Sequence, residues 1–377
     1  MLVLIAPDKF KETLSASEVA RAIGKGVRRA FPEAGIEIHP LGDGGEGTLE
    51  ALVAAVGGRV ETVTVSGPLG APVEAPLGRL DDGRIALEVA AASGLTLVPR
   101  ARRDALRASS RGTGELILAT FDETEPTRAI FGIGGSASTD GGTGAASAVG
   151  WRFLDARGHQ LPSGGGPLVK LARIDGTGVD PRLSRCSITG ATDIDNPLFG
   201  ERGAAHVFGP QKGASPEEVG LLDDGLANLA DRVERDLDGD SALAGSAGAG
   251  AAGGLGFGLT AFFGAELASG FGVVAEATGL ASAIARADVV ITGEGRLDAG
   301  SLGGKTPIGV ARMAREAGVA CFAVAGDSEV SAEDLRADGI EGASSLVETV
   351  GRERALEDTA AAVAETTESL LRRAYGL

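Results

Sequence analysis

Two cysteines, three histidines, one tryptophan and one tyrosine in 377 residues leave several kinds of chemistry without material. Cys186 and Cys321 sit in separate apolar runs, so they read as small core fillers in a reducing compartment, and no metal cluster can be built from them. Aromatic residues make up 4% of the chain, too few for a surface on which bases stack. Positive charge is in deficit: 35 Lys and Arg against 52 Asp and Glu give a formal net charge of −17. That balance argues against binding nucleic acid or an anionic membrane unaided. No apolar run reaches the length of about 18 residues that a bilayer-spanning helix needs. Met1-Leu-Val-Leu-Ile-Ala-Pro-Asp8 carries no basic leader and reads as a first strand rather than a signal peptide. A soluble, cytoplasmic protein is expected.

Glycine is in excess, at 60 residues. With 43% hydrophobic content, this points to an α/β protein with many strand-to-loop turns and enough apolar material for two domains. The densest stretch is Phe131-Gly-Ile-Gly-Gly-Ser-Ala-Ser-Thr-Asp-Gly-Gly-Thr-Gly144, which reads as strand, loop and helix. Its Gly134, Gly135, Ser136, Ala137 and Ser138 offer amides and hydroxyls to an anion, above all phosphate. Asp140 would repel that phosphate unless a divalent cation lay between them. The same residues match a dinucleotide fingerprint at Gly132, Gly134 and Ala137. Against that reading, Gly141, Gly142 and Gly144 would fall in the early turns of the helix, at about 1 kcal/mol each relative to Ala.

Strand and helix alternate at the start of the chain. A strand runs into Pro7-Asp8-Lys9-Phe10-Lys11, the capping box Ser15-x-x-Glu18 opens a helix, and the strand Ile36–Leu41 runs into Gly42-Asp43-Gly-Gly-Glu46. Asp8, Asp43 and Glu46 then lie at the carboxyl ends of parallel strands, where such sheets take ligands. From Arg59 to Val89 short alternating runs carry hairpin signals, which sets a domain boundary near Pro68. Ser109–Gly114 reads as a hydroxyl-rich turn into a helix over Glu115–Phe121. The strand Cys186–Ala191 ends in Thr192-Asp193-Ile-Asp195-Asn196-Pro197, whose two carboxylates point the same way if the strand continues. That pair suits metal holding and proton abstraction, or an Asx-turn before proline. Lys212, in Gly209-Pro-Gln-Lys-Gly213, reads as a short, exposed clamp for phosphate or carboxylate. His39 and His206 sit beside apolar residues and read as structural.

Alternation resumes after a helix over Val273–Ala287, with a strand at Asp288–Thr292 followed by Gly293-Glu294-Gly-Arg-Leu-Asp298. Gly303-Gly-Lys-Thr306 falls short of a P-loop, because Ala299 stands where the first glycine belongs and Pro307 follows where the helix should start. What survives is a pair of metal-capable acids, Glu294 and Asp298, with Lys305 as a mobile cation on a glycine-rich tether, the combination phosphoryl transfer needs. The two chain ends share a pattern the middle lacks. We therefore expect one domain from residues 1–68 plus 285–377 and a second, 69–284, inserted into it.

Taken together, Ala6–Ala16, Asp43–Thr48, Ser110–Leu116, Gly132–Gly144, Thr192–Leu198, Arg202–Gly213 and Ile291–Pro307 resemble, in the same order, the bacterial glycerate kinases that are neither P-loop proteins nor built like the animal enzyme. Thr143 departs from the bulkier apolar residue common there. The resemblance implies a flavodoxin/Rossmann-like parallel-sheet domain made from both chain ends and an inserted mixed α/β domain. It also implies ATP- and Mg²⁺-dependent phosphorylation of D-glycerate, at the 2-hydroxyl, with the 3-phosphate as the alternative product. On this reading Asp193 accepts the hydroxyl proton, a role Asp195 could exchange with it, and Lys305 neutralises the transferred group. Asp8, Lys11, Arg111, Asp195, Asn196 and Lys212 would hold glycerate. Gly134–Ser138 and Gly293 would meet the nucleotide, and Asp43, Glu294 and Asp298 the magnesium. The competing classes are a nicotinamide-dependent hydroxy-acid dehydrogenase and a non-catalytic sensor of small acids; strand-end carboxylates disfavour a pure anion binder. No nucleic-acid or membrane partner is expected, and the chain would act as a monomer or a homodimer.

Overall fold

The computed structural model describes residues 1–11, 13–122 and 126–377. In chain order its strands are β1 (Leu2–Ile5), β2 (Gly35–Ile38), β3 (Gly58–Ser66), β4 (Pro72–Leu80), β5 (Ile85–Glu88), β6 (Arg128–Gly132), β7 (Arg152–Leu154), β8 (Arg173–Asp175), β9 (Ser187–Ala191), β10 (Glu266–Ala268), β11 (Val289–Leu297), β12 (Ala320–Ser328) and β13 (Ile340–Ser345). Contacts divide the chain into two units, one of Met1–Asp43, Glu50–Gly57 and Gly270–Leu377, the other of Gly44–Leu49 and Gly58–Ser269.

The first unit holds a parallel sheet in the order β13-β12-β11-β1-β2. Numbered within the unit this is 2-1-3-4-5, the doubly wound order of flavodoxin-like proteins. Both faces are covered, as a parallel sheet requires. Along β1 the side chains alternate: Val3 and Ile5 join Val19, Ile23, Ile291 and Val363 on one face, while Leu4 and Ala6 join Val274, Leu280, Val290 and Val310 on the other. The capping box at Ser15 and Glu18 forms and starts the helix Ala16–Ala30. That helix packs on Thr359–Tyr375 at Gly26, where a Cβ would sit 2.4 Å from the carbonyl oxygen of Ala364.

The second unit is a mixed sheet in the order β10-β9-β6-β5-β4-β3, antiparallel through β3-β4-β5 and parallel from β5 to β10, with β7 and β8 as a separate pair. Its core gathers Leu77, Leu87, Phe131, Ile188 and Phe257 with Leu222, Leu226 and Leu229 from the helix Pro216–Leu237.

By contacts the chain changes unit at 43/44, 49/50, 57/58 and 269/270. β3 pairs residue for residue with β4, from Gly58 with Leu80 to Ser66 with Pro72, so the hairpin begins ten residues before Pro68. The expected helix over 273–287 is two helices, Gly270–Ala277 and Leu280–Ile284, broken at left-handed Gly279 (φ 71°), and both feed the core of the first unit. Among the described residues no helix is long and apolar enough to cross a membrane.

Candidate functional site

In a doubly wound sheet, ligands bind beyond the carboxyl ends of the strands where the strand order reverses. In the first unit that point lies between β1 and β11. After β1 the chain continues alongside β11, with the Asp8 amide donating to the Gly293 carbonyl at 2.8 Å. Asp8 therefore meets Glu294 at the place the topology designates. Both line an open cleft of about 600 Å³ with Lys9, Lys11, Asp43, Asp298 and Lys305.

Asp8 is 6% exposed. One carboxylate oxygen accepts the Lys9 amide at 2.7 Å and the other the Thr306 hydroxyl at 3.0 Å. Burial first, and the Asp43 charge second, raise its pKa to about 6 against the pull of Lys9 and these hydrogen bonds. Burial likewise raises Glu294 to about 7, while the Ser301 hydroxyl and Lys305 ammonium pull it back. The Oε1 of Glu294 is buried without a hydrogen-bond partner among the described residues. Asp43 lies 4.0 Å from the Lys9 ammonium. Asp298 turns one oxygen onto the amides of Gly300 (2.8 Å) and Ser301 (3.2 Å), tightening the turn that precedes Lys305.

Lys305 is the N-cap of the helix Thr306–Glu316, and Pro307 sits within its first turn. The proline that counts against a helix start in the sequence is compatible with one, because amides of the first turn have no intrahelical partner. Gly293 lies on the strand itself rather than past its end. It is buried inside β11, where a Cβ would stand 2.2 Å from the Val324 carbonyl oxygen.

Among the described residues no three Asp, Glu, His or Cys side chains gather into a metal cage. Magnesium does not ask for one: it takes one or two carboxylates and completes its octahedron with water and phosphate oxygens. The hard oxygen donors of Asp43 and Glu294, one of them an unpartnered buried oxygen, fit that demand.

In the second unit the glycine-rich loop between β6 and the helix Thr143–Ala148 is tied inward. Asp140 is fully buried. One of its oxygens accepts the Ser110 amide (2.8 Å), the Ser110 hydroxyl (2.9 Å), the Gly144 amide (3.2 Å) and the Ser109 hydroxyl (3.4 Å); the other accepts the Gly142 amide (3.2 Å). Buried and occupied by these five donors, it anchors the loop from within. The Ala137 and Ser138 amides already donate to the Ser93 carbonyl and the Ser136 hydroxyl. Gly134 and Gly135 are the members of Gly134–Ser138 that reach solvent. The helix begins six residues past Ala137, which removes the amide geometry a dinucleotide fingerprint requires.

Lys212 corrects another expectation. It is 3% exposed, its ammonium donates to the Ser138 carbonyl, and burial lowers its pKa to about 7 with Asp140 opposing. A buried internal tether replaces the exposed clamp. Asp193 and Asp195, past the end of β9, are both exposed. Asp193 accepts the Ser269 hydroxyl at 2.9 Å and Asp195 faces Arg202 at 3.0 Å, while the Asn196 amide donates to the Arg202 carbonyl. Arg111, the first residue of the helix Arg111–Ala119, pairs with Glu115 at 2.9 Å.

Three residues of these sites escaped the sequence reading. Thr306 fixes Asp8, Lys9 faces Asp43, and buried Glu88 accepts the Leu49 amide at 2.8 Å. Lys9 and Thr306 stand inside the motifs that drew attention to their neighbours; no local signal marks Glu88.

The family model described as the glycerate kinase family matches residues 3–375. A glycerate kinase of Halalkalibacterium halodurans is 48% identical over 346 residues, 92% of this chain and 90% of that protein. The glycerate 2-kinase of Escherichia coli K12 is 47% identical over 352 residues, 93% and 92% of the two chains. A crystal structure of a Salmonella typhimurium LT2 protein assigned as glycerate kinase 2 superposes with a TM-score of 0.87 at 45% identity, covering 100% of this chain and 98% of that one.

Proposed function

This chain belongs to the glycerate kinase family of phosphotransferases, and from that premise we propose that it transfers the γ-phosphoryl group of ATP to the 2-hydroxyl of D-glycerate. The 2-position follows the Escherichia coli relative named glycerate 2-kinase. The observation that carries the reading is the pair of buried carboxylates with raised pKa, Asp8 and Glu294, at the reversal point of the parallel sheet beside Lys305. Carboxylates desolvated in this way are stabilised by an incoming cation, and a lysine next to them suits the charge that develops on a transferred phosphoryl group.

Magnesium, when bound, would neutralise the triphosphate and polarise the transferred group, and Asp43 and Glu294 are the residues to hold it. Asp8, kept in one orientation by Thr306 and the Lys9 amide, orients the acceptor. Lys11 and Lys305 meet its negative charges. A hydroxyl attacking phosphorus must give up its proton, and we assign that proton to Asp193. The carboxylate of Asp195 is instead engaged by the Arg202 guanidinium at 3.0 Å.

Phosphorus NMR of the products from ATP, magnesium and D-glycerate tests the reading, with the 2-phosphate expected. A 3-phosphate product or no phosphoryl transfer would overturn it. Asp193→Asn is expected to abolish turnover while nucleotide still binds; near-normal turnover in that variant removes Asp193 from the role of base.

A further inference from the structure

A second cavity of about 600 Å³ lies wholly within the second unit, and its wall carries Arg102, Arg107 and Arg111 with Ser66, Ser109 and a single acid, Asp104. In a chain of net charge −17, three guanidiniums around one concavity against Asp104 and the Glu115 that pairs with Arg111 leave a local excess of positive charge. One Asp104 oxygen accepts the Arg107 amide at 3.0 Å and Glu115 pairs with Arg111, so the net positive charge that remains rests with Arg102 and Arg107. Arg102 and Arg107 have no ion-pair partner among the described residues.

The wall is built rather than draped. The Ser109 amide donates to the Pro68 carbonyl at 2.9 Å, which ties the turn after β3 to the arginine-bearing segment. Glu115 accepts the Ser66 amide at 2.7 Å and the Ser66 hydroxyl at 3.1 Å, and pairs with Arg111 at 2.9 Å. The Ser109 hydroxyl leads back to the buried Asp140 carboxylate and accepts the Arg111 amide. Arg111 also opens the helix Arg111–Ala119, so the positive end of a helix dipole adds to the guanidiniums.

We propose that this cavity binds a phosphorylated polyanion carrying two or more phosphate groups, held by Arg102, Arg107 and Arg111. A bidentate arginine engages two oxygens of one carboxylate or phosphate. Three arginines around a space of this size match an extended anion such as a triphosphate tail. The site stands on the second unit alone and does not depend on glycerate being the acceptor.

The test is calorimetric binding of inorganic tripolyphosphate to the full chain, wild type against Arg102→Gln/Arg107→Gln. Both side chains are exposed, and Trp151 emission confirms that the variant is folded. Wild-type binding that weakens at least about tenfold in the double variant, with Arg100→Gln within about twofold of wild type, is the expected result. No binding to wild type, equal binding to the double variant, or an equal loss in Arg100→Gln would each overturn it. Kinetics then separate the two sources of the anion. A matching rise in KM for ATP assigns the cavity to the donor nucleotide, and an unchanged KM assigns it to a separate phosphorylated ligand. Glycerate turnover by the wild type is read independently, so failure of the kinase reading and failure of this one are distinguishable.

Discussion

Removing the buried carboxylate of Asp140 is the sharpest test of how the glycine-rich loop is held. Five donors converge on it, two of them, the Ser110 amide and hydroxyl, at 2.8 and 2.9 Å. Hydrogen bonds to a charged acceptor contribute about 1.5–3 kcal/mol each. Asp140→Ala therefore forfeits about 3–6 kcal/mol from the two short ones alone and leaves buried donors without partners. Asp140→Asn keeps an acceptor for the four donors on one side and sets its NH₂ against the single Gly142 amide, at 3.2 Å on the other. It also turns charge-assisted bonds into neutral ones of about half the strength, and takes from the Lys212 ammonium the charge that helps it stay protonated. We expect Asn to destabilise by about 2–4 kcal/mol and Ala by more, within reach of the whole stability of an ordinary domain. The assay is local by construction. Trp151, the chain's one tryptophan, packs on Phe262 and donates to its carbonyl inside the second unit, so urea titration followed by its emission reports that unit. A loss under about 1 kcal/mol in both variants would refute the anchoring role.

Two further outcomes follow from the burial of single residues. Glu294 has a folded-state pKa near 7 against an ordinary 4.5, so the folded chain holds a proton that the unfolded chain has released; the stability this adds is complete below about 4.5 and lost as pH rises through about 7. Glu294→Gln, neutral throughout, should melt above wild type at pH 8 and approach it as pH falls to about 4; a pH-independent difference in Tm would refute the burial argument. Gly112 has no room for a methyl group, since a Cβ would stand 1.8 Å from the Ser66 carbonyl oxygen, whereas Gly303 faces open space. Gly112→Ala should destabilise by about 3 kcal/mol or more and Gly303→Ala by less than about 0.5 kcal/mol, read by urea titration of Trp151 for the first and by thermal melting for the second; equal effects would refute the packing account.

Much of the architecture was legible because local signals agreed with it. Both capping boxes, Ser15 with Glu18 and Ser215 with Glu218, form as written. Apolar runs ending in Pro-Asp or Gly-Glu became the inner strands of a parallel sheet, with Asp8 just past the end of β1 and Glu294 in the carboxyl half of β11, which runs on to Leu297. What stayed hidden was whatever depends on distant chain. The 2-1-3-4-5 order needs β1 to pair with β11, Val3 opposite Val289, and no local pattern encodes that. Glycines and a proline around Lys212 spell an exposed loop. Its burial comes from Gly253, whose missing side chain leaves the channel for the ammonium: a Cβ there would stand 2.7 Å from it. Asp140 reads as an acid in a phosphate loop until Ser109 and Ser110, some thirty residues upstream, turn out to be its partners. Residue type announced the chemistry, and side-chain direction was decided by segments far away in the chain.

The position of β1 between β2 and β11 sets the timetable on which a ribosome can finish this molecule. By the time residue 269 has been joined, every strand of the mixed sheet has been made, and that half can fold behind the advancing chain, since domains generally fold as units during synthesis. The oldest strand, by contrast, waits with a single neighbour, because its other partner begins only at Val289. Until then the apolar Val3, Leu4 and Ile5 have no sheet to close over them, and an arrest in translation before that point would leave an adhesive amino-terminal ribbon for chaperones to shield.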